Sequence, residues 1–403
     1  MKLTSVKPFT VKTAPPNLGG LIWLFVKLET DEGISGWGET AVLFTLYGLE
    51  PGYEKLVHNI FNTYLKGKSP IDREPLNKLL YSSVTAQHPD YVMMGIVSAF
   101  DIAMWDICGK FFNTPVYNLL GGKCRERVRT YTYLYNLDAK GTLLDATSDW
   151  TQNPDRLAEI AAQRVEEGFT GVKFDPIRQA LPGTLPPAPW ELAMAEYDFA
   201  EEAIRRIREA VGSRADICIG THGQMTPAVS RRLAKRVEKY DPLWLEEPCP
   251  PENFKEMARI ARSTSIPIAT GERLVTIHDF QKLFEAGACA IAQPDVGSCG
   301  GITACKQIAT LAEAHYVLVA PHVWGGPVIT AAALQIDANI PNFLIQESIY
   351  KSRHFFDEIV KEPFQWEDGY LVVPDRPGIG IELDEEKLEK HRGAIADLVA
   401  LLP

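Results

Sequence analysis

Short apolar runs alternate with amphipathic stretches along the second part of the chain. Five of these runs, PLWLEEP, IPIATGE, AIAQPD, VLVAPH and FLIQE, carry an ionisable residue at or near their ends, at steps of 26, 23, 27 and 25 residues: Glu246, Glu272, Asp295, His322 and Glu347. A strand–helix repeat of about 25 residues is typical of a (β/α) barrel. Further strands at 128–135, 170–175 and 216–220 bring the predicted count to eight, with helices such as 156–167 and 197–211 between them. Because the C-terminal strand ends of such a barrel meet at one mouth, the pattern predicts a catalytic site there.

The first 125 residues follow a different pattern. Residues 1–60 predict strands, two of them joined by a turn at 31–33, and helical spacing follows at about 51–65, 72–84 and 93–112. The double glycine at 121–122 ends this unit. We therefore predict an α/β protein with an α+β capping domain at 1–125, a barrel at 126–375, and a C-terminal segment, 376–403, that packs back on the cap.

Length and composition narrow the class of protein. A chain of 403 residues exceeds one typical core, which agrees with a barrel and a companion domain. The net charge of −11 argues against a nucleic-acid partner, although a small anionic substrate stays possible where a cation sets the local field. Seven scattered cysteines, no signal peptide at the N-terminus and no apolar run of about 18 residues lead us to expect a soluble cytoplasmic protein without a membrane partner.

Two glutamates are suited to a metal ion. Glu246 and Glu272 follow adjacent strands, and hard carboxylate oxygens there fit one Mg²⁺ completed by water and substrate oxygens. The alternative is that they form salt bridges with neighbours such as Arg273. Strand alternation sends only one of Glu246 and Glu247 inward, and parity alone does not say which.

Acid–base chemistry has its own candidates. Asp295 and His322, on neighbouring strands, predict a base whose imidazole is oriented by a carboxylate. His222, just beyond the third strand, is a second acid/base or a metal ligand. Lys173 and Asp175 share parity on the second strand, so they face the interior as functional groups or form an ion pair within the barrel.

Substrate contacts are expected from the same end of the barrel. Glu347 can hydrogen-bond a substrate oxygen or an enediolate, and Asp175, Arg273 and Trp324 are candidate substrate-binding residues. Two proline- and glycine-rich stretches, 13–20 and 177–192, are predicted to be loops at the mouth, as lids or as ordinary connectors.

Nearly the whole chain resembles the enolase superfamily, in particular its mandelate racemase subgroup and the acid-sugar dehydratases of that subgroup. The segments VKLETDEGISGWGET, FDIAMWDICGK and VYNLLGGKCRERVRTY are similar to the family's cap and first barrel strand, and LWLEEP, IATGER, QPDVGSCGGIT and APHVWGGP to its barrel motifs. The resemblance implies a (β/α)7β TIM-like barrel under the cap, an essential Mg²⁺ and removal of the proton next to a carboxylate to give an enediolate. It also makes a symmetric homo-oligomer the expected state.

Position by position, the resemblance makes Glu246 and Glu272 metal ligands and Glu347 the glutamate of the last strand. It makes Asp295 and His322 a His–Asp dyad, and His222 the histidine of the dehydratase pattern Asp-x-His-Gly-Arg.

Three positions depart from the family pattern. The aspartate that opens the Asp-x-His-Gly-Arg motif, the third metal ligand, is Gly220 here, and its arginine is Gln224. The metal is then held by two glutamates with water, recruits His222, or is absent. The second lysine of the racemase pattern Lys-x-Lys is Asp175.

The leading hypothesis is dehydration of an aldonate or aldarate to a 2-keto-3-deoxy acid, with His322 as base and His222 as acid, or the reverse. A racemase, epimerase or cycloisomerase of the same superfamily is the second, with Lys173 or His222 opposite His322. A degenerate sugar-acid-binding barrel is the third, since Gly220 removes a ligand, and a Schiff base on Lys173 is a minor alternative. Substrate identity is expected to depend on the two loops and on segment 40–50.

Overall fold

The computed structural model describes residues 1–14, 17–41, 48–135, 153–177, 191–350 and 353–393. The predicted loop 177–192 therefore falls largely outside the described residues, as do 42–47 of the segment 40–50 and 394–403 of the predicted C-terminal return. Most of the predicted loop 13–20 is described and forms a turn, in which the N–H of Asn17 donates to the carbonyl of Ala14 at 2.9 Å and the N–H of Gly20 to that of Asn17 at 3.1 Å.

An α+β unit forms the first part of the described chain. Its strands make one antiparallel sheet in the order β1-β2-β3: β1 Leu3–Lys12, β2 Ile22–Thr30 and β3 Ser35–Thr40. Its helices are α1 Glu50–Ile60, continued by a π-helical turn Phe61–Leu65, α2 Arg73–Val84, α3 Tyr91–Phe111 and α4 Val116–Leu119.

The long helix α3 is the core of this unit. Asp90 caps its first turn by accepting from the backbone N–H of Val92 and Met93, at 2.9 and 3.0 Å. The strand β3 lies directly on it, because β-carbons built on Gly36 or Gly38 would overlap the backbone of α3. The helix is long and apolar enough to cross a membrane, but 89% of its most apolar window is buried inside the protein.

Eight parallel strands follow, each joined to the next through a helix. They are β4 Arg127–Tyr133, β5 Gly171–Phe174, β6 Asp216–Gly220, β7 Trp244–Glu246, β8 Ile268–Thr270, β9 Ile291–Ala292, β10 Leu318–Val319 and β11 Gln346–Ser348. The helices are α5 Pro154–Glu166, α6 Met194–Val211, α7 Pro227–Val237 with a 3-10 turn Glu238–Tyr240, α8 Phe254–Ala261, α9 Ile277–Glu285, α10 Gly301–Ala314 and α11 Pro327–Asn339.

The strands close into a barrel. Neighbours pair in chain order from β4 to β10, β11 pairs with β4, and a bridge between Val319 and Phe343 joins β10 to the segment that leads into β11. The interior is filled by a cluster of large and small side chains: Tyr131, Cys218, Trp244, Ala269, Ile291, Ala320 and Ile345. The barrel is therefore a packed core with its open end at the C-terminal strand ends. The predicted α/β fold, a TIM-like barrel with an α+β cap, is confirmed.

The last described residues return to the cap. After α12 Arg353–Ile359 the chain forms a hairpin, β12 Trp366–Glu367 and β13 Tyr370–Val372, and ends in α13 Glu385–Lys390. Glu382 accepts hydrogen bonds from Trp37 Nε1 at 2.9 Å and Lys110 Nζ at 2.6 Å, and Glu385 forms ion pairs with lysines of β1 and β2. The exact domain boundaries stay a prediction.

Two local features of the C-terminal part were not predicted. The hairpin β12–β13 pairs antiparallel with the outer edge of β4 and was not predicted. The segment 377–384 forms isolated bridges, such as Val360 with Leu383, before α13 begins.

Candidate functional site

The predicted ionisable residues lie together at the C-terminal end of the barrel. Ion-pair contacts link five of them in one chain of neighbours: Glu246 to Lys173, Lys173 to Glu347, Glu347 to His322, and His322 to Glu272. Four of the five side chains are at most 12% exposed, and His322 is 14% exposed. At this level of burial, the protonation state of each side chain depends on the charges of its neighbours.

Glu246 points into the barrel. Its Oε1 pairs with Lys173 Nζ, and its Oε2 accepts from Trp244 Nε1 and Gln293 Nε2, both at 2.9 Å. Burial raises the pKa of Glu246 while Lys173 opposes that shift. The three donors hold this carboxylate in one orientation at the rim of the packed core.

Lys173 is fully buried beneath the mouth. Burial alone would lower its pKa, but Glu246 and Glu347 outweigh that effect and raise the pKa well above its usual value. The ammonium group also lies 4.9 Å from the ring centroid of Tyr133, in cation–π contact. Lys173 is therefore a fixed cation in this structure, paired with Glu246 and not with Asp175, and a protonated amine is a poor Schiff-base nucleophile.

Asp295 and His322 form a buried pair. His322 Nδ1 lies 2.6 Å from Asp295 Oδ2, while Asp295 Oδ1 accepts from the backbone N–H of Gly297 at 2.7 Å. The geometry leaves His322 Nε2 facing the mouth, 3.6 Å from Glu272 and 3.7 Å from Glu347. Burial lowers the pKa of His322, but the carboxylates Glu347, Glu272 and Asp295 outweigh it and raise the pKa to about 10.

His222 and Glu247 occupy strained positions on the opposite side. Both have left-handed backbones, with φ of 48° and 43°, and the N–H of Gly223 donates to the carbonyl of Glu247 at 2.8 Å. Such non-glycine conformations cost on the order of 1–3 kcal/mol each and cluster at functional sites. His222 Nδ1 lies 3.4 Å from Asp175 Oδ2, so a second His–Asp contact is present across the mouth.

Glu272 lies between the two histidines. Burial raises its pKa, but His322, His222, Arg273 and Lys173 together lower the pKa to about 2. Its neighbour Glu247 is fully buried, and neither of its oxygens has a hydrogen-bond partner within the described residues. Burial, with Glu272 adding to it, raises the pKa of Glu247 well above its usual value.

The remaining predicted residues lie at the same end. Arg273 has its guanidinium 3.4 Å from Glu247 and 3.6 Å from Glu272, and it donates to the carbonyl of His222 at 2.7 Å. Glu347 Oε2 accepts from the backbone N–H of Val323 at 2.9 Å. Trp324 is half-buried, with its ring 6.5 Å from that of Tyr135. The structure thus brings together every predicted site residue, while their roles stay predictions.

The side chains at the mouth suit a divalent cation, because they supply carboxylate oxygens and carry an excess of negative charge. Six carboxylates face one lysine and one arginine around the mouth: Asp175, Glu246, Glu247, Glu272, Asp295 and Glu347. The buried Glu247 carboxylate, 3.4 Å from Arg273, lies in this group, and buried carboxylates at such density repel one another unless a cation or proton intervenes. Within the described ranges, no three His, Cys, Asp or Glu side chains are already gathered as a metal cluster. Hard oxygens of this kind favour Mg²⁺.

Sequence reasoning missed three residues at this site. Trp244 and Gln293 orient Glu246, and each lies two positions before a predicted site residue, so strand parity was a usable signal. Glu39, on β3 of the cap, accepts from the N–H groups of Gly326, Val328 and Ile329 at 2.5, 3.0 and 2.9 Å. The cap therefore holds the loop that carries His322 and the start of α11.

A capped parallel barrel with carboxylates and two histidines at its mouth defines the class of protein. A family model described as mandelate racemase / muconate lactonizing enzyme, N-terminal domain, matches residues 5–121, and one described as enolase C-terminal domain-like matches 156–387. The chain belongs to the mandelate racemase / muconate lactonizing enzyme family of the enolase superfamily.

Similar proteins align with this chain along almost its full length. A D-galactonate dehydratase of Variovorax paradoxus (strain S110) is 34% identical over 394 residues, which are 96% of this chain and 94% of that protein. One from Xanthomonas euvesicatoria pv. vesicatoria (strain 85-10) is 34% identical over 91% of this chain and 90% of its own length. The solved mandelate racemase/muconate lactonizing enzyme from Jannaschia sp. CCS1 is 39% identical, covers 98% of both chains and has a TM-score of 0.89. A solved Burkholderia SAR-1 chain assigned to the same family is 45% identical over 99% of both chains, with a TM-score of 0.91.

Proposed function

We propose that the protein is an acid-sugar dehydratase, a hydro-lyase that depends on Mg²⁺. It would take an aldonate or aldarate, remove the proton next to the carboxylate and eliminate the 3-hydroxyl. The observation that carries the proposal is the pair of histidines on opposite sides of one mouth, His322 against Asp295 at 2.6 Å and His222 against Asp175 at 3.4 Å. Elimination of water needs one group to accept a proton and another to donate one.

His322 is suited to the first proton transfer once its raised pKa is countered, because only a neutral imidazole can accept a proton. Asp295 holds Nδ1, so Nε2 is the nitrogen that would accept the C2 proton. The C3–O bond then breaks, and the departing oxygen leaves as water with a proton supplied by His222. The enol that remains takes up a proton at C3, loses the proton of its 2-hydroxyl and becomes a 2-keto-3-deoxy acid, so that substrate equals product plus one water. The roles of the two histidines can be exchanged without changing this balance.

Mg²⁺ is the proposed cofactor, held by Glu246 and Glu272 with His222 as a possible further ligand. When bound, it would supply a Lewis acid for the substrate carboxylate and a charge that counters the carboxylates raising the pKa of His322. Glu347, Arg273 and Trp324 line the same mouth and would contact substrate oxygens. We expect a cytoplasmic homo-oligomer with no nucleic-acid or membrane partner.

The alternative activities depend on other residues. A racemase or epimerase using Lys173 as the opposing base would need a neutral amine, but Lys173 is buried in its ion pair with Glu246. A racemase that uses both histidines stays open as an outcome of the test. Because two of the relatives are D-galactonate dehydratases, galactonate is the first substrate to try.

Proton NMR in D₂O with Mg²⁺ and a panel of aldonates and aldarates tests the proposal. Dehydration predicts loss of the C2 and C3 signals of one sugar and growth of a deuterated 3-deoxy-2-keto product. His322→Asn should abolish this turnover, whereas His315→Asn, at the exposed end of α10, should leave it unchanged. Deuterium at C2 without elimination would instead establish epimerase-type exchange. No reaction across the panel would refute the dehydratase assignment.

A further inference from the structure

Gly220 ends β6 at the position where the family resemblance expects a metal-binding aspartate. In the barrel register it lies directly opposite Glu246 of β7, so a side chain there would point at the proposed metal site. Glycine supplies no side-chain oxygen, and only Glu246 and Glu272 of the expected carboxylates would remain.

The space beside Gly220 is already filled. A β-carbon built on Gly220 would overlap Asp175 Oδ1 and would lie 3.4 Å from Asp175 Cγ and 3.2 Å from Lys173 Cε. The Asp175 carboxylate thus occupies the volume that a residue-220 side chain would need. An aspartate at 220 and the present position of Asp175 exclude each other sterically.

Asp175 reaches this position from the neighbouring strand. Strands β5 and β6 pair in parallel register, with Phe174 opposite Ile219, so Asp175 and Gly220 are the next residues of the two strands. Adjacent parallel strands lie about 4.8 Å apart, which is within the reach of an aspartate side chain. Its Oδ2 is 3.4 Å from His222 Nδ1, so the carboxylate lies between the Gly220 space and the second histidine.

We propose that Asp175 supplies the third carboxylate of the Mg²⁺ site, from the end of β5, in the space that Gly220 leaves open beside it. The inference rests on the Mg²⁺ site of the proposed function and deepens it. It explains why a chain with glycine at 220 retains the other carboxylates at the mouth of the barrel. It also makes Asp175 a metal ligand rather than a substrate-binding residue.

Metal binding tests this directly and without turnover. Mn²⁺ binding followed by electron paramagnetic resonance, and Mg²⁺ binding followed by calorimetry, would be measured for the wild type, Asp175→Asn, Gly220→Asp and the exchange variant Asp175→Gly/Gly220→Asp. Glu367→Gln, at an exposed position on β12, is the matched control. Circular dichroism and thermal melts in the absence of metal establish that each variant is folded.

The exchange variant makes the expectation specific. Asp175→Asn should weaken Mn²⁺ and Mg²⁺ binding by about tenfold or more, because even residues that only orient metal ligands cost 10–100-fold in affinity. Gly220→Asp alone should destabilise the fold, since its new side chain meets Asp175. The exchange variant should regain most of the lost affinity, and Glu367→Gln should bind as the wild type does.

Two results would overturn the inference. Unchanged metal affinity in folded Asp175→Asn would remove Asp175 from the site. A loss that the folded exchange variant does not regain would mean that Asp175 acts through charge alone and not in place of residue 220. In either case dehydration by the wild type would leave the proposed function standing. Conversely, metal binding that follows this pattern in a protein that dehydrates no acid sugar would uphold the ligand and refute the function.

Discussion

Glu39 connects the capping domain to the catalytic loop, and replacing it by glutamine tests that connection. The carboxylate leaves β3 of the cap and accepts three backbone N–H groups where the chain passes from the His322 loop into α11. Glycines at 325 and 326 permit this approach, because a β-carbon on Gly326 would lie 2.7 Å from Glu39 Oε1. Glu39→Gln keeps the size of the side chain and replaces one of its two oxygens by an NH₂ group.

The cost follows from the donors that surround the carboxylate. If the glutamine oxygen replaces Oε2, it still accepts from Val328 and Ile329, but its NH₂ group faces the N–H of Gly326. This hydrogen bond is lost, and leaving the buried N–H of Gly326 without a partner costs about 1–3 kcal/mol. Burial raises the pKa of Glu39 to about 8, although the three N–H groups oppose that shift, so the carboxyl is largely neutral near pH 7 and the loss of its charge adds little. We expect a loss of about 1–3 kcal/mol in the free energy of unfolding near pH 7.

Activity should fall together with stability. The same loop carries His322 and Trp324, and a misplacement of about 1 Å at a reacting group can cost about 10²-fold in rate. Urea unfolding followed by tryptophan fluorescence measures the free energy of unfolding. Steady-state kinetics on the substrate found by NMR measures kcat. Glu29→Gln on β2, whose side chain is 49% exposed, is the control and should stay within about 0.5 kcal/mol of the wild type.

A defined result would refute this reasoning. If Glu39→Gln unfolds within about 0.5 kcal/mol of the wild type and keeps its kcat, the three N–H bonds do not hold the loop. A fall in stability with unchanged kcat would show that the cap stabilises α11 but does not position His322.

Three further changes have defined outcomes. Asp295→Asn should lower kcat by about 10²-fold or more with little effect on KM, because it removes the group that orients His322; steady-state kinetics measures both. Lys173→Met should reduce the free energy of unfolding by about 3–5 kcal/mol, since it leaves the Glu246 carboxylate buried without its cation, and added Mg²⁺ should restore part of this loss in urea unfolding. Asp106→Ala should cost a similar 3–5 kcal/mol in urea unfolding, because this buried carboxylate binds a lysine at 2.7 Å and two backbone N–H groups at 3.0 Å.

Each of these expectations can fail on its own. A wild-type kcat in Asp295→Asn would mean that His322 needs no orienting carboxylate. Stability of Lys173→Met that does not respond to Mg²⁺ would separate the Lys173–Glu246 pair from the metal site. An Asp106→Ala variant as stable as the wild type would show that the C-terminal segment does not depend on this contact with the cap.

The barrel and its mouth could be predicted because they follow from local periodicity. Each strand–helix unit repeats at about 25 residues, and parallel topology brings all strand ends to one side, so Glu246, Glu272, Asp295, His322 and Glu347 had to converge. The partners within the mouth could not be predicted in the same way. Parity places Lys173 and Asp175 on one side of β5, but whether Lys173 pairs with Asp175 or Glu246 depends on the distance across two strands.

Contacts between the domains could not be predicted from the sequence for a related reason. Glu39 lies at the end of an ordinary-looking strand, and its three donors come 287 to 290 residues later in the chain. The hairpin Trp366–Val372 is equally non-local, since it forms on the outer edge of β4, more than 230 residues away. Neither feature can be recognised from a short stretch of sequence, because both arise from surfaces that exist only after the barrel has closed.

Gly220 and Asp175 show where position-by-position comparison fails at such a site. Compared with the family motif, Gly220 is a lost ligand, and Asp175 is a lost racemase lysine. In space the two departures are adjacent, and the side chain of one fills the volume that the other vacates. A metal ion responds to the oxygens that surround it and not to the strand from which they come. Since neighbouring strand ends of a parallel barrel share one mouth, moving a carboxylate from β6 to β5 can preserve the charge of the site while changing two motif positions together.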